Sequence, residues 1–187
     1  NEVVNFPFVA ESTPESILVD NPIDSNKASL RLNLKKSLLD NLIYNEKRQN
    51  DSIKLFEISD VYSKNNEFEP IKKVGIIASG RQGKNYKEFS KQINKKYLSE
   101  VLKPLVCEEK IQEISRINVD SKIKTNIFYV EINLEDVTND LNHLNLTNHV
   151  SNDFTRYIPI SEYPMSIRDI SFAISDVAQS ERLQKLV

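Results

Sequence analysis

Glu57 and Asp60 lie close together in Leu55-Phe56-Glu57-Ile58-Ser59-Asp60, and paired carboxylates can divide acid and base work between them. That chemistry also needs a nucleophile or a second catalytic group, and the segment offers none. Solvated or salt-bridged structural carboxylates are therefore the favoured reading. His143 and His149, flanked by Asp140 and Asp153, are the only histidines. Zinc takes three or four ligands in fixed geometry, and this spacing suits neither an i,i+4 helical pair nor a finger, so loop histidines are expected. Gly80-Arg81-Gln82-Gly83-Lys84 is too short for a P-loop, and Asn85 stands where the magnesium-binding Ser or Thr belongs, so it reads as a basic loop. Cys107 has no paired His, and no Ser sits in a Gly-x-Ser-x-Gly turn. These patterns assign no catalytic, cofactor-binding or metal-ligating residue.

The elements that would position such residues follow from periodicity. Glu2 to Val9 is rich in β-branched and aromatic residues and reads as a strand, which Pro7 demotes to an edge. Ile17 to Val19 is a short apolar run, closed by a turn at Asp20-Asn21-Pro22. Between Asn33 and Arg48 the period becomes helical, with Leu34, Leu38, Leu39, Leu42 and Ile43 on one side. That leucine face is expected to enter the core. Ile53 to Tyr62 alternates as a strand, with Ile53, Leu55 and Glu57 on one face and Lys54, Phe56, Ile58 and Asp60 on the other. Ile71 to Ala78 returns antiparallel to it. Arg81 to Glu88 is a polar loop, and a second helix is expected from about Phe89 to Cys107, weakened by Pro104. Ile111 to Val119 and Thr125 to Leu134 read as two strands around Ser121-Lys122. Glu135 to Asn152 is poor in large apolar residues and reads as a loop or a frayed helix. Phe154 to Ile160, a turn at Tyr163-Pro164, a strand over Ile167 to Ser175 and a helix opening at Ser180 complete the chain. No βαβ rhythm appears, so the fold class is α+β with a mainly antiparallel sheet.

Composition bounds the function. In 187 residues, 25 Lys and Arg face 27 Asp and Glu, for a net charge of -2. That balance excludes a strongly basic nucleic-acid binder but not a local patch. No apolar run nears the roughly 18–20 residues of a membrane span. One Cys excludes a disulfide framework, and 3 Gly, where about 13 would be average, argue against glycine-rich phosphate loops. The chain begins at Asn1, has its only Met at Met165 and stops at Val187 inside a helical pattern, so an excerpt of a longer protein is expected.

Four segments, in order, resemble the β subunit of bacterial phenylalanyl-tRNA synthetase. Glu2-Val3-Val4-Asn5-Phe6-Pro7-Phe8 is similar to the family's E-V-x-x-x-S-F, with Pro7 in place of Ser. Asn21-Pro22-Ile23, Ser29-Leu30-Arg31 and the helix from Leu34 to Asn45 are similar to N-P-[IL] … L-R-x-S-L-L-P-G-L-L … N. Leu55-Phe56-Glu57-Ile58-Ser59-Asp60-Val61-Tyr62 is similar to L-F-E-I-G-x-V-F. Ile160-Ser161-Glu162-Tyr163-Pro164 … Arg168-Asp169-Ile170 is similar to S-x-[FY]-P-x-x-x-R-D-[LI]. The common Trp after Gly80 and the D-x-K-G motif of the second helix are missing.

The resemblance implies a class II aminoacyl-tRNA synthetase-like core module over residues 1–152 that does no catalysis. Residues 153–187 would be a linker and the start of a ferredoxin-fold anticodon-binding domain. Active class II enzymes end the corresponding strand in F-R-x-E, whose Arg clamps the ATP α-phosphate. Here the place reads Tyr62-Ser63-Lys64-Asn65, and the G-x-G-x-x-x-R signature is absent. The implied partners are a catalytic α subunit, in an α2β2 heterotetramer, and tRNA(Phe), in the cytoplasm and with no membrane. ATP and magnesium would belong to the holoenzyme, with no cofactor in this chain. Lys72, Lys73, Arg81, Lys84 and Lys87 are the candidate RNA contacts, against an equally good reading as a solvated polar loop. An active class II-type adenylating ligase would need the missing Arg, and a stand-alone α+β interaction module would need a complete domain.

Overall fold

The computed structural model describes residues 1–66, 69–83, 88, 90–103, 105, 108–141, 171 and 173. The chain divides into two compact units, Asn1–Leu146 and Thr147–Val187. In the second unit only Ser171 and Ala173 are described, and both are exposed. The elements expected from Phe154 onward lie outside the described residues.

The first unit is built on an antiparallel sheet of four strands, β3 (Ser52–Val61), β4 (Ile71–Gly80), β5 (Gln112–Ile114) and β6 (Ile127–Asn133), in spatial order β3-β4-β6-β5. A two-stranded ribbon, β1 (Phe8–Val9) with β2 (Ser29–Leu30), precedes it. Among the described residues three α-helices complete it: α1 (Lys35–Glu46), α2 (Lys95–Leu102) and α3 (Leu134–Leu141). The fold is α+β and antiparallel, as the alternation predicts.

Register fixes which side chains share a face, because successive strand residues point to opposite sides. Leu55, Ile77 and Tyr129 stand in one row and Glu57, Gly75 and Glu131 in the next. This face carries α1, whose Leu34, Leu38 and Leu42 are all 0% exposed against Ile53, Leu55, Val61, Ile77, Ile127 and Tyr129. The other face carries Ala78, Phe128, Val130 and Ile132, packed with Ile93, Leu98, Leu102, Ile111 and Val137 from α2, α3 and their approaches. Both faces of the central strands are thus occupied by the chain's own core.

The helix termini are set by local chemistry. α1 has no side-chain cap of its own at Leu34. Its first amides are taken instead by the Asn33 side chain and, across 97 residues, by Glu131. At its far end Gln49 enters the left-handed region (φ 62), and the amides of Arg48, Gln49 and Asn50 fold back onto Asn45 and Glu46 carbonyls. This is a helix stop made without glycine. Gly80 (φ 88) ends β4 where a Cβ would lie 2.0 Å from the Asp51 carbonyl oxygen, and the Arg81 amide bonds that oxygen at 2.7 Å.

Three expectations need correction. The strand expected over Glu2–Val9 is reduced to β1, because Glu2 instead forms a lone parallel bridge with Phe56 along the edge of β3. The second helix begins only at Lys95: residues before it are held extended by Ile93 N–H to the Gly80 carbonyl and Gln82 N–H to the Lys91 carbonyl, and Asn94 caps the helix. Pro104 and Cys107 lie outside the described residues. The strand expected over Ile111–Val119 stops at Ile114, because Ser115 caps a 3-10 turn at Arg116–Asn118 that turns Arg116 inward. Of the two readings of Glu135 to Asn152, loop or frayed helix, the described part takes the helical one: α3 runs over Leu134–Leu141 and buries Val137 in the core.

Candidate functional site

The strongest polar cluster lies on the α1 face of the sheet, where the row Glu57–Gly75–Glu131 crosses three strands. Arg31 reaches it from the segment after β2. Its backbone is fixed on both sides, N–H to the Pro7 carbonyl (2.8 Å) and carbonyl to the Tyr62 amide (3.0 Å). Its guanidinium is 2% exposed and faces Glu57, which is 1% exposed, at 2.9 Å. Nη1 also donates to Ser37 Oγ (3.3 Å) and Nε to the Asp60 carbonyl (3.2 Å). Asn5 adds two bonds to the same carboxylate, from its amide (3.3 Å) and its side-chain Nδ2 (2.8 Å), and Asn41 of α1 in turn donates to Asn5 Oδ1 (2.7 Å).

Glu131 is the matching centre at the other end of the row. It accepts from the Leu34 amide (2.8 Å), from Lys73 Nζ (2.7 Å) and from the Tyr129 hydroxyl. Burial, reinforced by Glu131, pushes the Tyr129 hydroxyl far above the ordinary tyrosine range, so it remains a proton donor. Between the two carboxylates, Gly75 lets α1 lie directly on the strand: a Cβ there would meet Leu38 Cδ1 at 2.7 Å and Leu34 Cβ at 3.0 Å. Each carboxylate is neutralised by a cation and saturated by neutral donors. Such a cluster holds a helix to a sheet and leaves no acid or base facing a substrate.

Asp60 does not join Glu57. It lies on the opposite face, with Lys72 Nζ 4.0 Å away. Ser63 Oγ accepts the Asn65 amide, and Lys64 is tied by its own amide to the Glu15 carbonyl. Among the described residues, no three His, Cys, Asp or Glu side chains converge as metal ligands. Asp140 falls in α3, and His143 and His149 lie outside the described residues.

The candidate RNA contacts are dispersed. Lys72 and Lys73 are neighbours on β4 and so face opposite sides of the sheet, Lys72 toward Asp60 and Lys73 committed to Glu131. Arg81 follows the far end of β4, about 30 Å along the strand from Lys72, and pairs with Asp51 at 3.3 Å. Lys84 and Lys87 lie outside the described residues.

A second polar centre was not visible in the sequence. Arg116 grips Glu46 of α1 with both terminal nitrogens (2.9 and 2.7 Å) and also donates to Ser79 Oγ (2.9 Å) and the Thr125 carbonyl (2.7 Å). It lies beside a cleft of 160 Å³ lined by Glu46, Asp51, Ser79, Gly80 and Thr125. Every named donor of Arg116 is used in joining the end of α1 to β4 and β6. Strict alternation could have flagged Glu131, a polar residue at an inward position of a strand. No local signal marks Arg116.

With this geometry in hand, comparison with known proteins is specific. The sequence profile described as the phenylalanyl tRNA synthetase beta chain CLM domain matches residues 1–134. The phenylalanine–tRNA ligase β subunit of Fusobacterium nucleatum subsp. nucleatum is 36% identical over 103 residues, 49% of this chain and 13% of that protein. That of Legionella pneumophila (strain Lens) is 23% identical over an alignment covering 100% of this chain and 27% of that protein. The chain thus aligns with 13% and 27% of the length of these two relatives. Among solved structures, a pyrrolysyl-tRNA synthetase from Desulfitobacterium hafniense aligns with TM-score 0.46 and 14% identity, over 73% of this chain and 61% of that one.

Proposed function

Because the chain belongs to the phenylalanyl-tRNA synthetase β-chain family, we propose that it is a non-catalytic scaffold within a phenylalanine–tRNA ligase β subunit. In this reading residues 1–152 keep a class II synthetase-like sheet and pack against a catalytic α subunit, as one β chain of an α2β2 heterotetramer. Residues 153–187 lead into a ferredoxin-like anticodon-binding domain. The α subunit binds ATP and magnesium, activates phenylalanine and esterifies it to tRNA(Phe) in the cytoplasm.

The observation that carries the non-catalytic part is the seating of α1 on Gly75. Leu34 and Leu38 fill the sheet face, while Glu57 and Glu131 are spent on Arg31, Lys73 and Tyr129. Adenylation needs preorganised cations aimed at a phosphate in a water-excluded cleft. Here the buried cation nearest that role is neutralised by its own carboxylate. The hairpin end at Ser63 and Asn65 supplies neither the Arg nor the Glu of an active enzyme, which points the same way.

The test is native mass spectrometry of this chain co-expressed with a phenylalanyl-tRNA synthetase α subunit, followed by ATP–pyrophosphate exchange. A heteromeric complex is expected, with exchange by the complex and none by this chain alone. A clean monomer beside free α subunit, seen also with the full-length β chain, would refute the assembly role. Exchange catalysed by this chain alone would refute the non-catalytic one.

A further inference from the structure

Residues 81–103 hold seven Lys or Arg against two acids, Glu88 and Glu100, in a chain whose net charge is -2. Within this stretch, Lys91, Lys95 and Lys96 are exposed and come from backbone that is firmly placed. The Lys91 carbonyl accepts the Gln82 amide (2.9 Å), the Ile93 amide donates to the Gly80 carbonyl (2.8 Å), and Arg81 and Gln92 form a lone antiparallel bridge. Asn94 then caps α2 by accepting from the Tyr97 amide (2.8 Å), while Ile93 and Leu98 are buried in the core.

Among the described residues Lys35, Lys103, Lys110, Lys122 and Lys124 are also exposed without an ion pair, but Lys91, Lys95 and Lys96 stand within six residues of one another with no acid between them, and other lysines of the unit are committed to carboxylates. Lys36 pairs with Asp40, Lys47 with Asp120, Lys72 with Asp60 and Lys73 with Glu131. Among the described residues, none of Lys91, Lys95 and Lys96 makes an ion pair. Gln92, Asn94 and Glu100 around the lysines are polar and exposed. Protein interfaces centre on aromatic or apolar anchors and are depleted in Lys. Unpaired lysines on an anchored backbone suit instead a regularly spaced line of phosphates, where each neutralised phosphate releases counterions.

We propose that Lys91, Lys95 and Lys96 form a contact surface for the phosphate backbone of RNA. This rests on the tRNA-ligase reading above and adds a surface to it. The contact would contribute affinity without base specificity.

The experiment measures tRNA binding by the β chain in complex with the α subunit, as a function of salt, for wild type, for K91A/K95A/K96A and for a control of equal charge change, K35A/K36A/K47A on the α1 side. Each lysine that meets a phosphate lowers the slope of log affinity against log salt by about one. On dilution from 200 to 50 mM salt, wild type should therefore gain about 60-fold more affinity than K91A/K95A/K96A. The control should follow wild type, and ATP–pyrophosphate exchange should be the same in all three.

Equal slopes for wild type and K91A/K95A/K96A would overturn the surface and leave the ligase reading standing. Equal loss in both triple variants would overturn it too, as a diffuse charge effect. Weakened assembly with α at an unchanged tRNA slope would replace RNA with an acidic protein surface. Absence of tRNA binding by a wild-type complex would instead overturn the ligase reading itself.

Discussion

Replacing Gly75 by Ala separates two opposed effects by sign. In an ordinary strand interior the change relieves glycine's excess backbone freedom and stabilises by about 0.5–1 kcal/mol. Here the added methyl would lie 2.7 Å from Leu38 Cδ1, 3.0 Å from Leu34 Cβ and 3.1 Å from Leu34 Cδ1. Carbon atoms rest at roughly 3.5–4.0 Å. The Leu38 tip can rotate, but within a core where Leu38 is 0% exposed. Leu34 Cβ can retreat only if the first turn of α1 lifts, which stretches the Leu34 amide from Glu131. Overpacking of this kind costs about 1–3 kcal/mol. The net expectation is a destabilisation of about 1–2 kcal/mol, or a fall in Tm of about 2–8 °C for a chain of this size. Thermal and urea unfolding followed by circular dichroism measure it directly. Leu38→Ala alone should cost about 2–5 kcal/mol, and the double variant G75A/L38A should cost less than the sum by at least about 0.5 kcal/mol, because the new methyl enters the vacated space. A Gly75→Ala chain that melts at or above wild type, or a strictly additive double variant, would refute the close seating of α1.

Arg31→Met leaves Glu57 charged and buried without its cation, and should cost about 3–5 kcal/mol; urea midpoints should show R31M/E57L recovering most of that loss, and a single variant as stable as wild type would contradict the buried pair. Tyr129 ionises near 10.0 when unfolded and far higher when folded. Its contribution is therefore complete below pH 10 and fades as the pH rises above it. Unfolding followed from pH 9 to 11 should show that loss in wild type and a shallower one in Tyr129→Phe, and parallel curves would count against it. Leu38→Asp places an unpaired carboxylate in the apolar contact between α1 and the sheet and should abolish soluble folding; a dispersed NMR spectrum from that variant would contradict the core assignment of the helix.

The legible parts of this fold were those written in short-range periodicity. Leu34, Leu38 and Leu42 recur every four residues and form the buried stripe of α1. The alternation of Ile53, Leu55 and Glu57 against Lys54, Phe56, Ile58 and Asp60 gives the two faces of β3 as they stand. Boundaries were less legible, because competing partners set them. α2 starts late since the Gly80 and Lys91 carbonyls hold the residues before Lys95 extended. β5 stops early since Arg116 turns in to Glu46.

The sequence by itself determined the α+β fold class, the leucine stripe of α1, the two faces of β3 and, through ordered motifs, the family. All of these rest on residue types at fixed local spacing. Only the tertiary structure decided what the polar residues do. Arg31 and Glu57 are 26 residues apart, Leu34 and Glu131 are 97, and Glu46 and Arg116 are 70. Charge pairing across such distances depends on strand register and on how closely a helix can approach a sheet, here set by the missing side chain of Gly75. No window of neighbouring residues carries that information, because a carboxylate reads alike in sequence whether it meets water, a substrate or a buried guanidinium.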